Sequence, residues 1–371
     1  MIPIRADTLD RPPPASAAAP AARARVMVCD DSAVIRAAIT AILKADDGIE
    51  GVARAGNGQA AIDALQAHDV DVVVLDIEMP VMDGFTALPK LLAASPGLAV
   101  IMASTLTTRG AEISMRALRL GAADTMAKPS AAEFQKDQRF GQELIAKVLG
   151  LARMRTRRRL GIATPAVGPG VVLRKPPSLP PRLLAIGSST GGPNALFAVV
   201  QALAPRLAVP VIITQHMPAT FVPILAQHID RLGVLPCEQA QDGAVLQPGC
   251  ILLAPGDRHM LIRKRGAQLV VELSDGPAEQ FCRPAVDPML RSANEAVDGR
   301  VLVAMLTGMG TDGLNGARQV VASGGGVVAQ DEATSVVWGM PGAVARAGLA
   351  CAVLPLPEIG ARLNKLICAR P

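Results

Sequence analysis

The chain has 371 residues, of which 50% are hydrophobic, and its formal net charge is +5. Aromatic residues make up only 2%, with no tyrosine, which argues against a nucleic-acid platform built on base stacking. Six scattered cysteines without a CxxC pair indicate neither a zinc ribbon nor a disulfide framework, and they fit a reducing cytoplasm. No apolar run of about 18 residues predicts a membrane span. The length predicts two or three domains with large cores.

The N-terminal part of the chain predicts a leader followed by an α/β domain. Residues 1–24 are rich in alanine, proline and arginine, lack the apolar core of a signal peptide, and predict a disordered leader. Residues 25–149 alternate between buried strands and helices in five βα units, with the last helix predicted to end at Ala152. This alternation predicts a doubly wound five-stranded parallel sheet, in which ligands bind at the carboxyl ends of the strands.

Chemically active side chains stand where the predicted strands of this first domain end. They are Asp30 and Asp31 after the first strand, Asp76 after the third, Ser104 after the fourth and Lys128 after the fifth. Three carboxylates around one point repel one another unless a hard cation lies among them, so the pattern predicts a Mg²⁺ site. The lysine and the serine hydroxyl suit an added phosphoryl group. Solvated carboxylates at loop ends are the alternative, which the common register of four strand ends disfavours.

Together with the run from Asp76 to Gly84 and the pair Lys128-Pro129, these residues resemble the receiver domain of two-component response regulators. The resemblance spans residues 25–149. It implies a receiver-type fold and a partner histidine kinase that phosphorylates Asp76. Thr125 departs from the pattern, because many receivers carry a switch aromatic at that position, and the path from phosphate to output surface is therefore left open.

The resemblance also implies a role for each polar group at the strand ends. Asp30 and Asp31 hold Mg²⁺ together with Asp76. Ser104 is the switch hydroxyl, and Lys128 contacts the phosphoryl group.

Residues 150–181 break the alternation and predict a basic, proline-rich linker. Five arginines cluster at its start: Arg153, Arg155, Arg157, Arg158 and Arg159. Such a cluster can contact nucleic acid or an acidic protein surface. We favour the solvated end of a helix, where positive charge is well placed.

Residues 182–371 predict a second α/β domain with a mainly parallel sheet and a β-hairpin excursion near residues 250–273. Its central feature is the turn Gly187-x-Ser189-x-Gly191, which joins an apolar strand to a helix. The spacing fits a nucleophile elbow, in which a sharp turn exposes a serine at a helix N-terminus that can stabilise an oxyanion. Phosphate or dinucleotide binding and plain turn chemistry are the alternatives. A dinucleotide site needs an acidic residue after the next strand, and His216 stands there instead.

A serine nucleophile needs a base and an acid that orients it. Of the four histidines, three are set aside because one lies in the first domain, one within a helix on a solvated or half-buried face, and one beside the hairpin turn: His68, His228 and His259. His216 follows the strand next to that of Ser189, and Asp312 ends a glycine-rich loop after another strand. The three side chains can therefore converge at one edge of the sheet.

Four segments of this domain resemble the catalytic domain of chemotaxis protein-glutamate methylesterases: residues 186–192, 215–218, 283–287 and 306–313. The order receiver, linker, esterase is also characteristic of that family. The resemblance implies a cytoplasmic hydrolase that removes glutamate γ-methyl esters from chemoreceptors, deamidates certain receptor glutamines and receives phosphate from a chemotaxis histidine kinase. Neither nucleic-acid binding nor membrane insertion is expected.

By the same resemblance, Ser189 attacks the ester, His216 takes its proton and Asp312 orients His216. Backbone N–H groups near Thr190 and Met309 form the oxyanion hole.

The regulation and the class of the second domain are the remaining questions. The unphosphorylated receiver would cover Ser189, and phosphorylation would loosen it. A receiver fused to a non-catalytic binding module is an alternative, whereas a DNA-binding regulator lacks the helix-turn-helix it needs. Cys282 stands where similar enzymes carry a histidine, near the expected mouth of the site. The effect of this cysteine on substrate preference, or on a secondary hydrogen bond, is therefore left open.

Overall fold

The computed structural model describes residues 23–129, 138–161 and 171–368. Most of the predicted leader, residues 1–22, and residues 162–170 of the predicted linker lie outside the described residues.

The first domain is a parallel sheet with helices on both faces. Its strands are β1 (Ala24–Cys29), β2 (Ile49–Ala55), β3 (Val72–Asp76), β4 (Ala99–Ser104) and β5 (Asp124–Ala127). Its helices are α1 (Ala33–Lys44), α2 (Gly58–Ala67), α3 (Gly84–Ala94), α4 (Thr108–Arg119) and α5 (Gln138–Leu160). The strands lie in the order β2-β1-β3-β4-β5, and every residue of β3 and β4 is buried. The predicted doubly wound five-stranded parallel sheet is confirmed.

Side-chain caps fix where four of these helices begin. Ser32, Asn57, Asp83 and Thr107 each accept a hydrogen bond from the backbone N–H three residues later. Each cap satisfies a donor that has no partner within the helix. The caps thereby hold the short loops that follow β1, β2, β3 and β4.

Helix α5 is longer than the sequence predicts. It continues to Leu160 instead of ending at Ala152, so the first part of the predicted linker is helical. Arg155 is buried, where its guanidinium donates to the carbonyl of Val70 and, over 3.1 Å, to Ser95 Oγ. The prediction of a solvated arginine cluster is therefore wrong for this residue, because the first domain offers it acceptors.

The neighbouring arginines pair with acids on both domains. Arg153 and Arg157 lie 3.9 and 3.8 Å from Glu332 of the second domain, and Arg159 lies 3.4 Å from Asp69 of the first. The Arg158 side chain lies outside the described residues.

The second domain has a seven-stranded parallel sheet. Its strands are β6 (Leu183–Ser188), β7 (Val211–Gln215), β8 (Cys237–Gln239), β9 (Ile251–Leu253), β12 (Val301–Met305), β13 (Gly326–Gln330) and β14 (Ala352–Leu354). They lie in the order β14-β13-β12-β6-β7-β9-β8. Strands β10 (His259–Arg265) and β11 (Gln268–Ser274) form a separate antiparallel hairpin. Both the mainly parallel sheet and the hairpin excursion are confirmed.

Six helices complete this domain: α6 (Gly192–Gln201), α7 (Val222–Asp230), α8 (Val286–Ala296), α9 (Leu314–Ala322), α10 (Met340–Arg346) and α11 (Leu356–Cys368). Strand β6 lies between β7 and β12, so the strand order reverses there. Such a switch point leaves a crevice at the carboxyl ends of the strands. The loops after β6, β7 and β12 therefore meet in one place.

The two domains pack directly against each other. Helix α4 contacts α7, and one cluster of buried apolar side chains includes members of both domains. Gly150 of α5 lies so close to the second domain that a Cβ there would come within 1.9 Å of the Val336 carbonyl oxygen. Within the described parts of the chain, no helix combines the length and the apolar character needed to cross a bilayer.

A glycine substitution tests the packing of the first domain. A Cβ on Gly84 would come 1.9 Å from the Asp76 carbonyl oxygen, so Gly84→Ala forces the loop after β3 to move. We expect a cost of about 1–3 kcal/mol, measured as faster hydrogen exchange of the β1 and β3 amides. Gly51→Ala is the matched control, because nothing lies within 4 Å of its Cβ. Equal exchange in the two variants would contradict the packing argument.

Candidate active site

Ser189 lies on a tight turn between β6 and α6. Gly191 has a φ of +75°, a left-handed conformation that favours glycine, and a Cβ on Gly192 would come 1.9 Å from Gln215 Oε1. The Gly192 N–H donates to the Ser189 carbonyl over 2.7 Å. The turn therefore needs its glycines, as the elbow pattern predicts, and it leaves the serine side chain half-buried at the edge of the sheet.

A buried glutamine fixes this turn to the neighbouring strand. Gln215 accepts from Ser188 Oγ over 2.6 Å and donates from Nε2 to the Ser189 and His216 carbonyls, each over 2.9 Å. It thus joins the ends of β6 and β7. Sequence reasoning placed Gln215 only within a motif, and its amide hydrogen bonds required the tertiary structure.

His216 and Asp312 form the central polar pair of the site. His216 Nε2 lies 2.8 Å from Asp312 Oδ2. The buried Asp312 also accepts from the backbone N–H groups of Val286 over 2.6 Å and Asp287 over 3.0 Å. Burial alone raises the pKa of Asp312, but His216 and these N–H groups outweigh it and hold that pKa below its usual value. Asp312 therefore stays ionised and can orient the imidazole.

The other nitrogen of His216 faces a cysteine. His216 Nδ1 lies 3.5 Å from Cys282 Sγ, and among the described residues no hydrogen bond joins His216 to the Ser189 hydroxyl. Burial lowers the pKa of His216, but Asp312 and then Cys282 outweigh it and raise that pKa to about 10. The sequence places Cys282 near the mouth of the site, and the structure adds its contact with His216.

Thr190 and Met309 lie beside Ser189. The Thr190 carbonyl accepts from Thr307 Oγ1 over 2.8 Å, which ties the serine turn to the loop after β12. Gly308 of that loop lies so close that a Cβ there would come 2.8 Å from that of Ser189. Thr190 and Met309 line one cavity of about 640 Å³, together with Ser189, His216, Cys282 and Asp312. All five residues that sequence reasoning assigned to the esterase therefore meet at one cavity.

The first domain reaches the edge of this site. Asp124, the first residue of β5, accepts from the Gly191 N–H over 3.0 Å and pairs with the buried Lys147 over 2.8 Å. Burial lowers the pKa of Lys147, but Asp124 and Glu143 outweigh it and raise that pKa. A carboxylate at the N-terminus of α6 is favourable, because the N–H groups there lack partners within the helix. Sequence reasoning missed Asp124 and Lys147, since their partners are distant along the chain.

Thr125 and Asn194 extend the same interface. The Thr125 carbonyl accepts from Lys147 over 2.7 Å, and Thr125 lines a cavity of about 90 Å³ with Ser189, Thr190 and His216. Asn194 Nδ2 lies 3.0 Å from the carbonyls of Ala122 and Ala123. Thr125, at the position where many receivers carry a switch aromatic, therefore borders the candidate active site.

A second polar cluster lies at the strand ends of the first domain. Lys128 Nζ lies 2.6 Å from Asp76 Oδ1 and 3.1 Å from Asp30 Oδ2, and ligand oxygens of Asp30, Asp31 and Asp76 lie within 4.8 Å of one another. Burial raises the pKa of Asp76, and Lys128 offsets this only in part. Three hard oxygen donors at this spacing fit a divalent cation such as Mg²⁺. The structure thus brings Asp30, Asp31, Asp76 and Lys128 into one cluster.

Ser104 is buried at the end of β4, the strand that pairs with β3. Its Oγ accepts a hydrogen bond from Ser114 Oγ of α4 over 3.1 Å. This contact links the end of β4 to a helix that packs on the second domain.

The remaining histidines lie away from the candidate active site. His68 is exposed at the end of α2, and His259 is held by the Pro277 carbonyl over 2.9 Å and the Ala285 N–H over 3.2 Å. His228 is 1% exposed, so its predicted solvated or half-buried position is wrong. It is buried because α7, on which it lies, packs against α4 of the first domain.

Known proteins resemble the chain along nearly its whole length. The CheB methylesterase family model matches residues 184–363, and the response regulator receiver domain model matches residues 26–136. A solved structure, the catalytic domain of Thermotoga maritima CheB methylesterase, is 37% identical with a TM-score of 0.49 and covers 51% of this chain and 100% of that one.

Two curated relatives carry the name protein-glutamate methylesterase/protein-glutamine glutaminase. The one from Paramagnetospirillum magneticum is 50% identical and covers 93% of this chain and 97% of that protein. The one from Azospirillum brasilense is 52% identical and covers 95% and 96%. Identity of this degree over both domains means that the chain belongs to the CheB methylesterase family, as a member with an N-terminal receiver domain.

Proposed function

We propose that the protein is a phosphorylation-activated esterase that hydrolyses glutamate γ-methyl esters on chemoreceptors and deamidates receptor glutamines. This activity resets receptors during adaptation in chemotaxis or a related signalling array. The observation that carries the proposal is the His216–Asp312 pair beside Ser189, under a receiver that supplies Asp124 to the same turn. The substrate and a histidine kinase as phosphodonor come from the family, and both fit a cytoplasmic location.

The proposed reaction passes through an acyl-enzyme. Ser189 Oγ attacks the ester carbonyl carbon while its proton passes to His216, and Asp312 holds the imidazole. The oxyanion accepts from the N–H groups of Thr190 and Met309. His216 returns the proton to the leaving methoxide oxygen, so methanol departs. A water molecule then attacks the acyl carbon and gives a proton to His216. The bond between that carbon and Ser189 Oγ breaks, His216 returns the proton to Ser189 Oγ, and the glutamate is freed. From a glutamine amide, ammonia leaves instead.

The resting geometry must change before this attack. His216 Nδ1 faces Cys282 Sγ, and Nε2 is held by Asp312. The imidazole has one nitrogen left for the serine, so Ser189 Oγ must displace the thiol from Nδ1. Catalytic hydrogen bonds of this kind commonly tighten only when substrate is bound.

The receiver limits access to the serine turn. Asp124 occupies the N-terminus of α6, and Lys147 neutralises it in a buried pair. In our proposal these contacts stabilise a docked state, and phosphorylation shifts the population towards an open one. The hydrogen bond between Ser114 and Ser104 supports a route for this change. When Ser104 turns to a phosphoryl group on Asp76, it releases Ser114, and α4 can then move against α7.

Phosphorylation of Asp76 requires charge compensation. Asp30, Asp31 and Asp76 would hold Mg²⁺, which neutralises charge on the phosphoryl oxygens when it is bound. Lys128 already contacts Asp76 and adds a second positive charge. The Asp76 carboxylate oxygen attacks the phosphorus, and the donor group leaves on the opposite side.

The first experiment measures methanol release from methylated receptor with acetyl phosphate present. Ser189→Ala removes the nucleophile, so we expect the rate to fall by about 10⁴-fold or more. Ser323→Ala is the control, because Ser323 is an exposed serine on the same domain. Methanol release that persists in Ser189→Ala would rule out Ser189 as the nucleophile.

The docking contact is tested without phosphodonor. Asp124→Asn removes the carboxylate charge that accepts from the Gly191 N–H of the other domain, at a cost of about 1–3 kcal/mol to the docked state. We expect the basal rate of methanol release to rise about 5-fold or more, towards that of the activated wild type. The exposed Asp63 of α2 gives the matched control Asp63→Asn. If both variants keep the basal rate of the wild type, the contact between Asp124 and the serine turn does not limit the basal activity.

Metal removal tests the receiver separately from the esterase. With EDTA we expect acetyl phosphate to leave the wild-type rate at its basal value, because the acidic cluster can no longer offset the phosphoryl charge. The Asp124→Asn variant should keep its raised rate in EDTA, since no metal takes part in the proposed ester hydrolysis. A loss of that rate on chelation would show that a metal acts in the esterase itself.

A further inference from the structure

A cysteine, a histidine and a carboxylate form a continuous chain beside Ser189. Cys282 Sγ lies 3.5 Å from His216 Nδ1, and His216 Nε2 lies 2.8 Å from Asp312 Oδ2. In this chain a carboxylate orients an imidazole, and the imidazole faces a nucleophilic side chain. The same order of groups activates the nucleophile in serine and cysteine hydrolases. Here the group that faces the imidazole is the thiol.

The thiol is also reachable from solvent. Cys282 is half-buried and lines the cavity of about 640 Å³ that contains Ser189. Phe281, the residue before it, is 77% exposed, so the segment lies at the mouth of that cavity. A small reagent that enters the substrate cavity therefore meets Cys282 as well as Ser189.

The other cysteines lack this combination. Cys29, Cys237 and Cys351 are buried, and burial raises the pKa of Cys29 and of Cys237 to about 12. Cys368 is exposed at the end of α11, and Cys250 is half-buried. Among the described residues, Cys282 is the cysteine whose sulfur contacts an imidazole.

We propose that Cys282 is a modification site of the esterase, an activated thiol that reacts with hydroperoxides and whose oxidation stops ester hydrolysis. The reactivity of the thiol follows from its contact with His216 alone. The loss of activity rests on the proposed function of Ser189 and His216.

The chemical step balances with the hydroperoxide as oxidant. The Cys282 proton moves to His216 Nδ1, and the thiolate sulfur attacks one peroxide oxygen. A sulfur–oxygen bond forms while the oxygen–oxygen bond breaks. Sulfur is oxidised to sulfenic acid, and the leaving oxygen takes the proton from His216 and departs as water or an alcohol. A thiol reductant reverses the change through a mixed disulfide.

Oxidation affects ester hydrolysis through His216. The new sulfenic oxygen adds an acceptor and a donor next to Nδ1, the nitrogen that Ser189 needs. It also takes up space in the cavity beside the serine. The oxidised enzyme therefore lacks an available base while its fold and its receiver are unchanged.

The first test measures thiol reactivity and needs no esterase activity. The full-length protein is treated briefly with iodoacetamide at pH 6.5, and each cysteine peptide is quantified by mass spectrometry. Cys368 serves as the internal reference, because it is exposed. An ordinary thiol is about 1% ionised at this pH. Because the Cys282 proton can pass to His216 Nδ1, which lies 3.5 Å from the sulfur, we expect Cys282 to react about tenfold faster than Cys368.

The variant His216→Gln separates activation from access. It removes the base but keeps a polar side chain, so the ratio of Cys282 to Cys368 labelling should fall to about one or below. A ratio that is unchanged in His216→Gln, or a wild-type ratio below one, overturns the proposal.

The second test measures the effect on ester hydrolysis. Hydrogen peroxide is added to phosphodonor-activated protein, and each protein is compared with its own untreated rate of methanol release. The wild type and Cys368→Ser should lose most of their rate and regain it with dithiothreitol, whereas Cys282→Ser should keep its own rate. Equal loss in Cys282→Ser overturns the link to activity. If the untreated wild type releases no methanol, the proposed function fails, and the labelling ratio still decides whether Cys282 is activated.

Discussion

A single buried carboxylate holds the candidate active site together. Asp312 accepts hydrogen bonds from His216 after β7 and from two N–H groups at the start of α8, and its own loop follows β12. Three separate segments therefore converge on one charged group. The N–H groups of a helix N-terminus carry partial positive charge, which lets the carboxylate stay ionised although it is buried. Without it, the imidazole would have no fixed orientation.

The receiver also places a carboxylate at a helix N-terminus, where it accepts a hydrogen bond from a backbone N–H group. Asp124 reaches the Gly191 N–H at the start of α6, a position next to the serine turn. Asp312 thus orients the proposed catalytic base, and in the proposed docked state Asp124 helps to hold the receiver over the serine turn. Because Lys147 neutralises Asp124 inside the interface, docking does not leave an unpaired buried charge. A contact of this kind can be released without unfolding either domain.

Local patterns predicted most of the architecture, because apolar strands and capped helices leave a periodic record in the sequence. The convergence of Ser189, His216 and Asp312 was also predictable, since parallel strands bring their carboxyl ends to one edge. Contacts between residues far apart in the sequence were not predictable in this way. The burial of Arg155 depends on acceptors near residues 70 and 95, and that of His228 depends on a helix of the other domain. The contact between Cys282 and His216 depends on the orientation of one ring, which no spacing encodes.

Helix α5 has a further consequence for how strongly the domains must attract each other. Its end carries Arg153 and Arg157, which face Glu332 of the catalytic domain, and the chain continues from this helix into that domain. Such a covalent connection gives the receiver an effective concentration of the order of millimolar at its docking site. An intrinsic dissociation constant of only about 0.1 mM would then keep roughly nine molecules in ten covered. A receiver supplied as a separate chain would inhibit poorly at cellular concentrations. Weak docking of this kind lets one phosphoryl group, and no larger change in the fold, decide between the two states.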